Sequence, residues 1–192
     1  MAHAHKPAVL EELLRREDAD RLEIICGEIV EKASPSPRHS RTTRKLGAAI
    51  DPFDRKPGGV EPGGWWLFTE IHVGYAHGHS EVYCHDAAGW RRDRSPTEPA
   101  GWPVRLRPDW VCESVSPKHQ KRDLVDKPRV LHAAEVPHYW TIDPEDRVLI
   151  VHRWSRDGYV AIRQATAGET IRAEPFDAIE IKLGVLFGDE DD

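Results

Sequence analysis

Residues 110–144 read WVCESVSPKHQKRDLVDKPRVLHAAEVPHYWTIDP. The stretch 110–116 is an apolar run interrupted by one carboxylate, Glu113, the pattern of a buried strand. A helix is predicted over 119–134, with Pro128 forcing a start or a kink. Residues 137–144 return to a buried-type strand rich in aromatic and β-branched side chains. A carboxylate inside a buried strand is costly unless it is paired or holds a cation. Glu113 is therefore the first candidate for chemistry.

Toward the N-terminus the spacing predicts a strand over 65–75, a turn over 76–80 and a second strand over 81–90. That second strand carries Asp86, just before the small residues Ala87, Ala88 and Gly89. Loops rich in Gly and Pro are expected over 51–64 and 95–103. Before them come a short amphipathic helix over 7–17 and a hairpin over 22–31 turning at Cys26-Gly27. A helix over 37–50 follows, capped by Ser34-Pro-Ser-Pro. It sets Arg38, Arg41, Arg44 and Lys45 along one face. On the C-terminal side a turn over 143–146, a strand over 148–154 and short strands near 159–163 and 179–183 complete the chain. This order of helices and strands is that of an α+β domain.

If the strands bearing Asp86 and Glu113 are neighbours, the two carboxylates can share a divalent ion. Hard oxygen ligands suit Mg²⁺ or Mn²⁺, which polarise a phosphodiester and activate water. Lys127, 14 residues after Glu113 and in the next helix, is placed to swing back. Taken singly, Glu113 also fits an ordinary buried ion pair and Asp86 a turn residue. Asp109, four residues before Glu113, is about 13 Å away along a strand and too far to share an ion. It reads as a strand-entry residue.

The chain has 192 residues, with 39% hydrophobic, 31% charged and seven Trp. These values exclude a membrane-spanning chain and wholesale disorder. The start lacks the apolar core of a secretory signal. Three dispersed cysteines, Cys26, Cys84 and Cys112, fit reduced thiols in a cytoplasm. Of the net charge of −6, four negatives fall in the last four residues, leaving −2 for the rest. Residues 38–45 and 118–129 are locally basic, as in a groove that grips a phosphate backbone or in solvated helix faces. His72, His77, His79, His85 and Cys84 cluster in sequence but match no structural zinc spacing. Trp65, Trp66 and Trp102, beside Gly or Pro, are candidates for base stacking; packing is the competing reading.

The strings His85-Asp86, Glu113-Ser-Val-Ser-Pro117, Asp123-Leu-Val-Asp-Lys127-Pro128 and Val136-Pro-His-Tyr-Trp-Thr-Ile-Asp-Pro144, in this order, resemble the Uma-two family. That family is a branch of the PD-(D/E)XK restriction-endonuclease-like nucleases. Glu23–Val30 and Ser34–His39 resemble its opening. The likeness runs from about residue 9 to about residue 187. It implies a restriction-endonuclease-like core, a mixed β-sheet flanked by helices, with an N-terminal hairpin and C-terminal strands. One such domain is expected over 1–187, with an acidic tail over 188–192.

The resemblance also implies roles. Asp86 and Glu113 would hold Mg²⁺ (or Mn²⁺), helped by the Ser114 carbonyl, and Lys127 would position the attacking water. Arg38, His39, Arg41, Arg44, Lys121 and Arg122 would contact DNA. Glu28, Glu23 and Glu70 are candidates for an outer carboxylate. A homodimer is expected by analogy. Two positions depart from the family's pattern. His85 stands where the motif has a proline, and Ala134-Glu135 fills the usual small-residue turn before Val136. The alternative is a scaffold that has lost catalysis and binds nucleic acid or a protein partner.

Overall fold

The computed structural model describes residues 9–77, 79–115 and 121–190. The expected helix over 37–50 is α2 (Pro37–Ile50). Ser36 caps it, its Oγ accepting from His39 N at 3.2 Å, and Pro37 opens its first turn. Such a cap satisfies an amide that has no partner within the helix. Thr42, Leu46 and Ile50 form the buried stripe, so the arginines face outward.

The N-terminal helix α1 (Val9–Leu14) is shorter than expected; residues 7 and 8 lie outside the described residues. The hairpin is β1 (Leu22–Ile25) and β2 (Glu28–Glu31). Cys26 and Gly27 both take positive φ, at 53° and 76°. That backbone suits a two-residue turn between right-twisted strands. The Glu81 carboxylate accepts from both turn amides, at 3.0 and 3.2 Å.

The next pair is longer than the sequence suggested. β3 (Trp65–His77) and β4 (His79–Arg91) take in most of the expected 76–80 turn. β5 (Trp110–Ser114) and β6 (His138–Asp143) then run parallel, joined through α3 (Lys127–Ala133). β7 (Val148–Ser155) and β8 (Gly158–Thr166) continue antiparallel. The eight-stranded sheet has the order β2-β1-β4-β5-β6-β7-β8, with β3 also paired to β4. The last expected strand resolves into β9 (Thr170–Ile171) paired with β10 (Ile181–Lys182), followed by α4 (Leu183–Leu186). The fold class is α+β, as the element order indicated.

Apolar side chains fill both faces of this sheet. On one, Trp110, Trp140 and Phe176 meet edge to face at 5.0–5.7 Å, beneath α2 and α4. On the other, Tyr83, Trp90 and Tyr139 cluster with Leu131 of α3. Trp65 is buried in the first cluster and Trp66 is half-buried, its ring covered by Arg92, so both are packing residues. Among the described residues no helix is long and apolar enough to cross a membrane.

Candidate active site

β4 keeps β3 on one edge and divides the other between β1 and β5. Ile24 pairs with Val82, and Ala87 with Cys112. The next pair in the latter register is Asp86 with Glu113. Both therefore sit at the fork where β4 changes partner, the adjacency that a shared ion requires. At the fork, side chains replace missing strand partners. Cys84 N donates to Glu23 Oε1 at 3.0 Å, and Ser114 N to Asp86 Oδ2 at 2.7 Å.

A lysine enters this fork because of a local change of helix pitch. Pro128 has no N–H to give to a preceding turn. Residues 122–126 wind as a π-turn, in which Lys127 N bonds to Arg122 O. Pro128 then occupies the first turn of α3, where a missing N–H costs nothing. On this helix Asp123, Lys127, Val130 and Leu131 are the buried residues. The expected helix start at 119–120 and Lys118 lie outside the described residues, as do Ser116 and Pro117 of the motif.

Lys127 Nζ lies 3.0 Å from Glu113 Oε2 and 3.2 Å from Glu23 Oε1. Arg122 backs the group, 3.4 Å from Glu23 Oε2 and 3.2 Å from Asp123 Oδ1. His39 Nε2, from α2, lies 3.0 Å from Asp86 Oδ1, off the alignment a hydrogen bond needs. His85 is fully buried. Its Nδ1 contacts Glu113 Oε1, and its Nε2 lies 2.6 Å from Tyr75 Oη. The residue that replaces the motif's proline is thus wired to the second acid.

Burial pushes the Asp86 carboxyl up, but His39, the Ser114 amide and Lys127 outweigh it, and its pKa lies below the ordinary value. Glu23 behaves alike: burial raises it, and Lys127, Arg122 and the Cys84 amide hold it low. Burial pushes Lys127 down, yet Glu113, Glu23 and Asp86 drive its pKa well above the ordinary lysine value. His39 is lowered by burial and raised further by Asp86, ending above its usual pKa. Lys127 is therefore a fixed cation, a donor and not a base.

These groups line one cleft of about 330 Å³, together with Lys32, Ser36 and Glu145. The donors present fit a hard divalent cation. Of the carboxylates lining the cleft, Asp86 and Glu113 have one protein contact per oxygen among the described residues, leaving a further lone pair. Ser114 Oγ is buried in the cleft wall with no hydrogen-bond partner among the described residues. Also among them, no three His, Cys, Asp or Glu side chains gather as a metal cage. The side chains of His77 and His79 lie outside the described residues.

The cleft brings together Asp86, Glu113, Ser114, Lys127, His39 and Arg122. Arg38 is exposed near its rim, 3.0 Å from Glu145. Arg41 donates to Gly188 O at 3.0 Å, and Lys121 pairs with Asp126 at 2.8 Å. Neither lines the cleft, nor do Arg44, Glu28 and Glu70. The acid supplied by the hairpin is Glu23, whose signal was its place in the apolar run Leu-Glu-Ile-Ile. Asp109 accepts from Arg91 N and Arg94 Nε, both at 2.8 Å, which makes it a structural anchor at the entry to β5.

A search of the curated proteins finds no match. Among solved structures, the chain resembles one described as "a putative nuclease belonging to DUF820" from Anabaena variabilis. The TM-score is 0.70 at 19% identity, covering 95% of this chain and 98% of that one. At that identity the likeness speaks for the fold. A family model described as "Putative restriction endonuclease" matches residues 10–184. That span holds every element from β1 to β10 and all the cleft's charged groups, so the chain belongs to the Uma2 family.

Proposed function

We propose that the protein is a Mg²⁺- or Mn²⁺-dependent endonuclease that hydrolyses DNA phosphodiester bonds in the cleft at the fork of β4. The observation that carries this reading is the buried Lys127 ammonium, 3.0 Å from Glu113 in a cleft shared with Asp86. Asp86, Glu113 and the Ser114 carbonyl would hold the cation, which supplies Lewis acidity toward the phosphate and a more acidic water. Lys127 stays charged, so it orients the attacking water by donation and balances charge that builds on the phosphate oxygens. Glu23 and Arg122 keep the ammonium aimed. His39 holds Asp86 ionised and reaches the cleft mouth from α2. Water adds to phosphorus, the P–O bond to the leaving sugar oxygen breaks, and that oxygen takes a proton.

The test is nicking of supercoiled plasmid with Mg²⁺ or Mn²⁺ by the wild type, Asp86→Asn and Lys127→Ala, with folding checked by circular dichroism. Metal-dependent nicking that both substitutions abolish supports the reading. Nicking that survives Asp86→Asn refutes these roles. An inert wild type that binds no Mn²⁺ by calorimetry would leave a non-catalytic binding scaffold. Light scattering on the same samples tests the expected homodimer.

A further inference from the structure

A second cavity of about 350 Å³ lies beside the cleft, and Lys32 and Cys84 line both. The Lys32–Glu70 ion pair stands between them. Glu70 takes a left-handed backbone, φ 54°, and interrupts the β3–β4 ladder: Thr69 pairs with Ala87 and Ile71 with His85, and Glu70 and Asp86 are skipped. Non-glycine residues held in this conformation gather at functional sites. His72 and Trp102 complete the far wall.

Two features of that wall ask for a ligand. His72 is 7% exposed, and its Nε2 has no hydrogen-bond partner among the described residues. Burial lowers its pKa, and the Leu22 backbone opposes this by accepting from the ring. With Nε2 unpartnered, that bond belongs to Nδ1, so Nε2 presents a bare lone pair. Trp102, by contrast, is 41% exposed, its ring 5.1 Å from that of His72. An exposed indole beside a bare acceptor is a stacking platform with one hydrogen-bonding probe.

We infer that this cavity receives an unpaired nucleobase of the substrate strand, stacked on Trp102, whose exocyclic amino group donates to His72 Nε2. The inference rests on the nuclease reading and names its substrate: single-stranded DNA, or a duplex with one base turned out. The register supports the placement. His72 pairs with Cys84, two residues from Asp86, which is about 7 Å along a strand. A base adjoining the phosphate at the fork reaches that far. Lys32 is engaged by Glu70, and His72 Nε2 is the buried acceptor of that wall without a partner among the described residues. Adenine and cytosine offer an amino group; thymine offers a carbonyl oxygen in its place.

The experiment is fluorescence anisotropy with short fluorescein-labelled homopolymers of dA, dC and dT, in EDTA so that nothing is cut. The wild type should bind dA and dC several-fold tighter than dT. His72→Phe, which keeps a ring against Trp102, should erase that preference and leave dT unchanged. Trp102→Ala should weaken all three about tenfold. Equal binding of the three strands by the wild type, or a preference that survives His72→Phe, overturns the pocket. Should His72→Phe fail to fold, an unchanged affinity in Trp102→Ala overturns it alone. Binding of duplex without binding of any single strand rejects the pocket and spares the nuclease reading. Binding of no nucleic acid rejects both.

Discussion

Lys127 shows how one side chain fixes several others. It is 2% exposed and neutralises two carboxylates that are equally hidden, Glu113 and Glu23. Removing one partner of a buried ion group leaves uncompensated charge, at a cost of about 3–5 kcal/mol. Lys127→Met should therefore lower the unfolding free energy by that order, and adding Glu23→Gln should recover part of it. Urea denaturation of the three proteins decides; a loss below about 1 kcal/mol would mean that water reaches the cluster. His85 acts on the same acid from behind. Outer partners of a metal-binding carboxylate change metal affinity about 10–100-fold. His85→Ala should weaken Mn²⁺ binding within that range, measured by calorimetry, and His85→Asn, which keeps a donor near the Nδ1 position, should restore much of it. Equal affinity in all three proteins would reduce His85 to a packing residue.

At the scale of the element, the end of α3 explains how the chain manages with Ala134-Glu135 in place of the family's small-residue turn. Glu135 N bonds to His132 O and Val136 N to Leu131 O, at 2.9 and 3.0 Å. This is the double closure of a left-handed helix end, with Leu131 and Val136 sharing a cluster. Glu135 takes the required φ of 57° despite its side chain. Glu135→Gly should raise stability by about 1 kcal/mol, the usual penalty for a left-handed non-glycine residue; an unchanged urea midpoint would argue otherwise. Local signals of this kind were legible in the sequence. The cap at Ser36 set α2 correctly, and Cys26-Gly27 set the hairpin. The length of β3 and β4 was not legible, since both strands run into a stretch whose composition reads as a turn. Asp86, Glu113 and Lys127 were readable as a set because Glu113 interrupts an apolar run, Asp86 ends a strand before small residues, and Lys127 follows in the next helix. Glu23 was one of three candidate acids that the sequence could not rank, and the tie from His85 to Glu113 was not legible, because these contacts span 104 and 28 positions. The self-paired arginines were equally hidden: Arg38 meets Glu145 and Arg122 meets Glu23 only in three dimensions.

The whole molecule should register its buried titrating groups as it is acidified. Burial holds His72, His138 and His152 below the ordinary histidine pKa of about 6.5. The unfolded chain therefore binds more protons there, and stability falls as pH drops below about 6.5. His39, raised by Asp86, works in the opposite sense. A second fall follows below about 4.5, where Glu23 and Asp86 stay ionised in the fold and are protonated in the unfolded chain. Urea midpoints across pH should show both stages, and His39→Asn should steepen the first; a shallower first stage would contradict the assignment. The fork in β4 carries a historical consequence as well. Asp86 and Glu23 accept from backbone amides that no neighbouring strand reaches, so they belong to the architecture as much as to the cleft. A lineage whose cleft did no chemistry would still face selection for keeping both acids, because discarding either one leaves a sheet amide without its acceptor. In this fold the acids of the cleft are built to outlast whatever use the cleft serves.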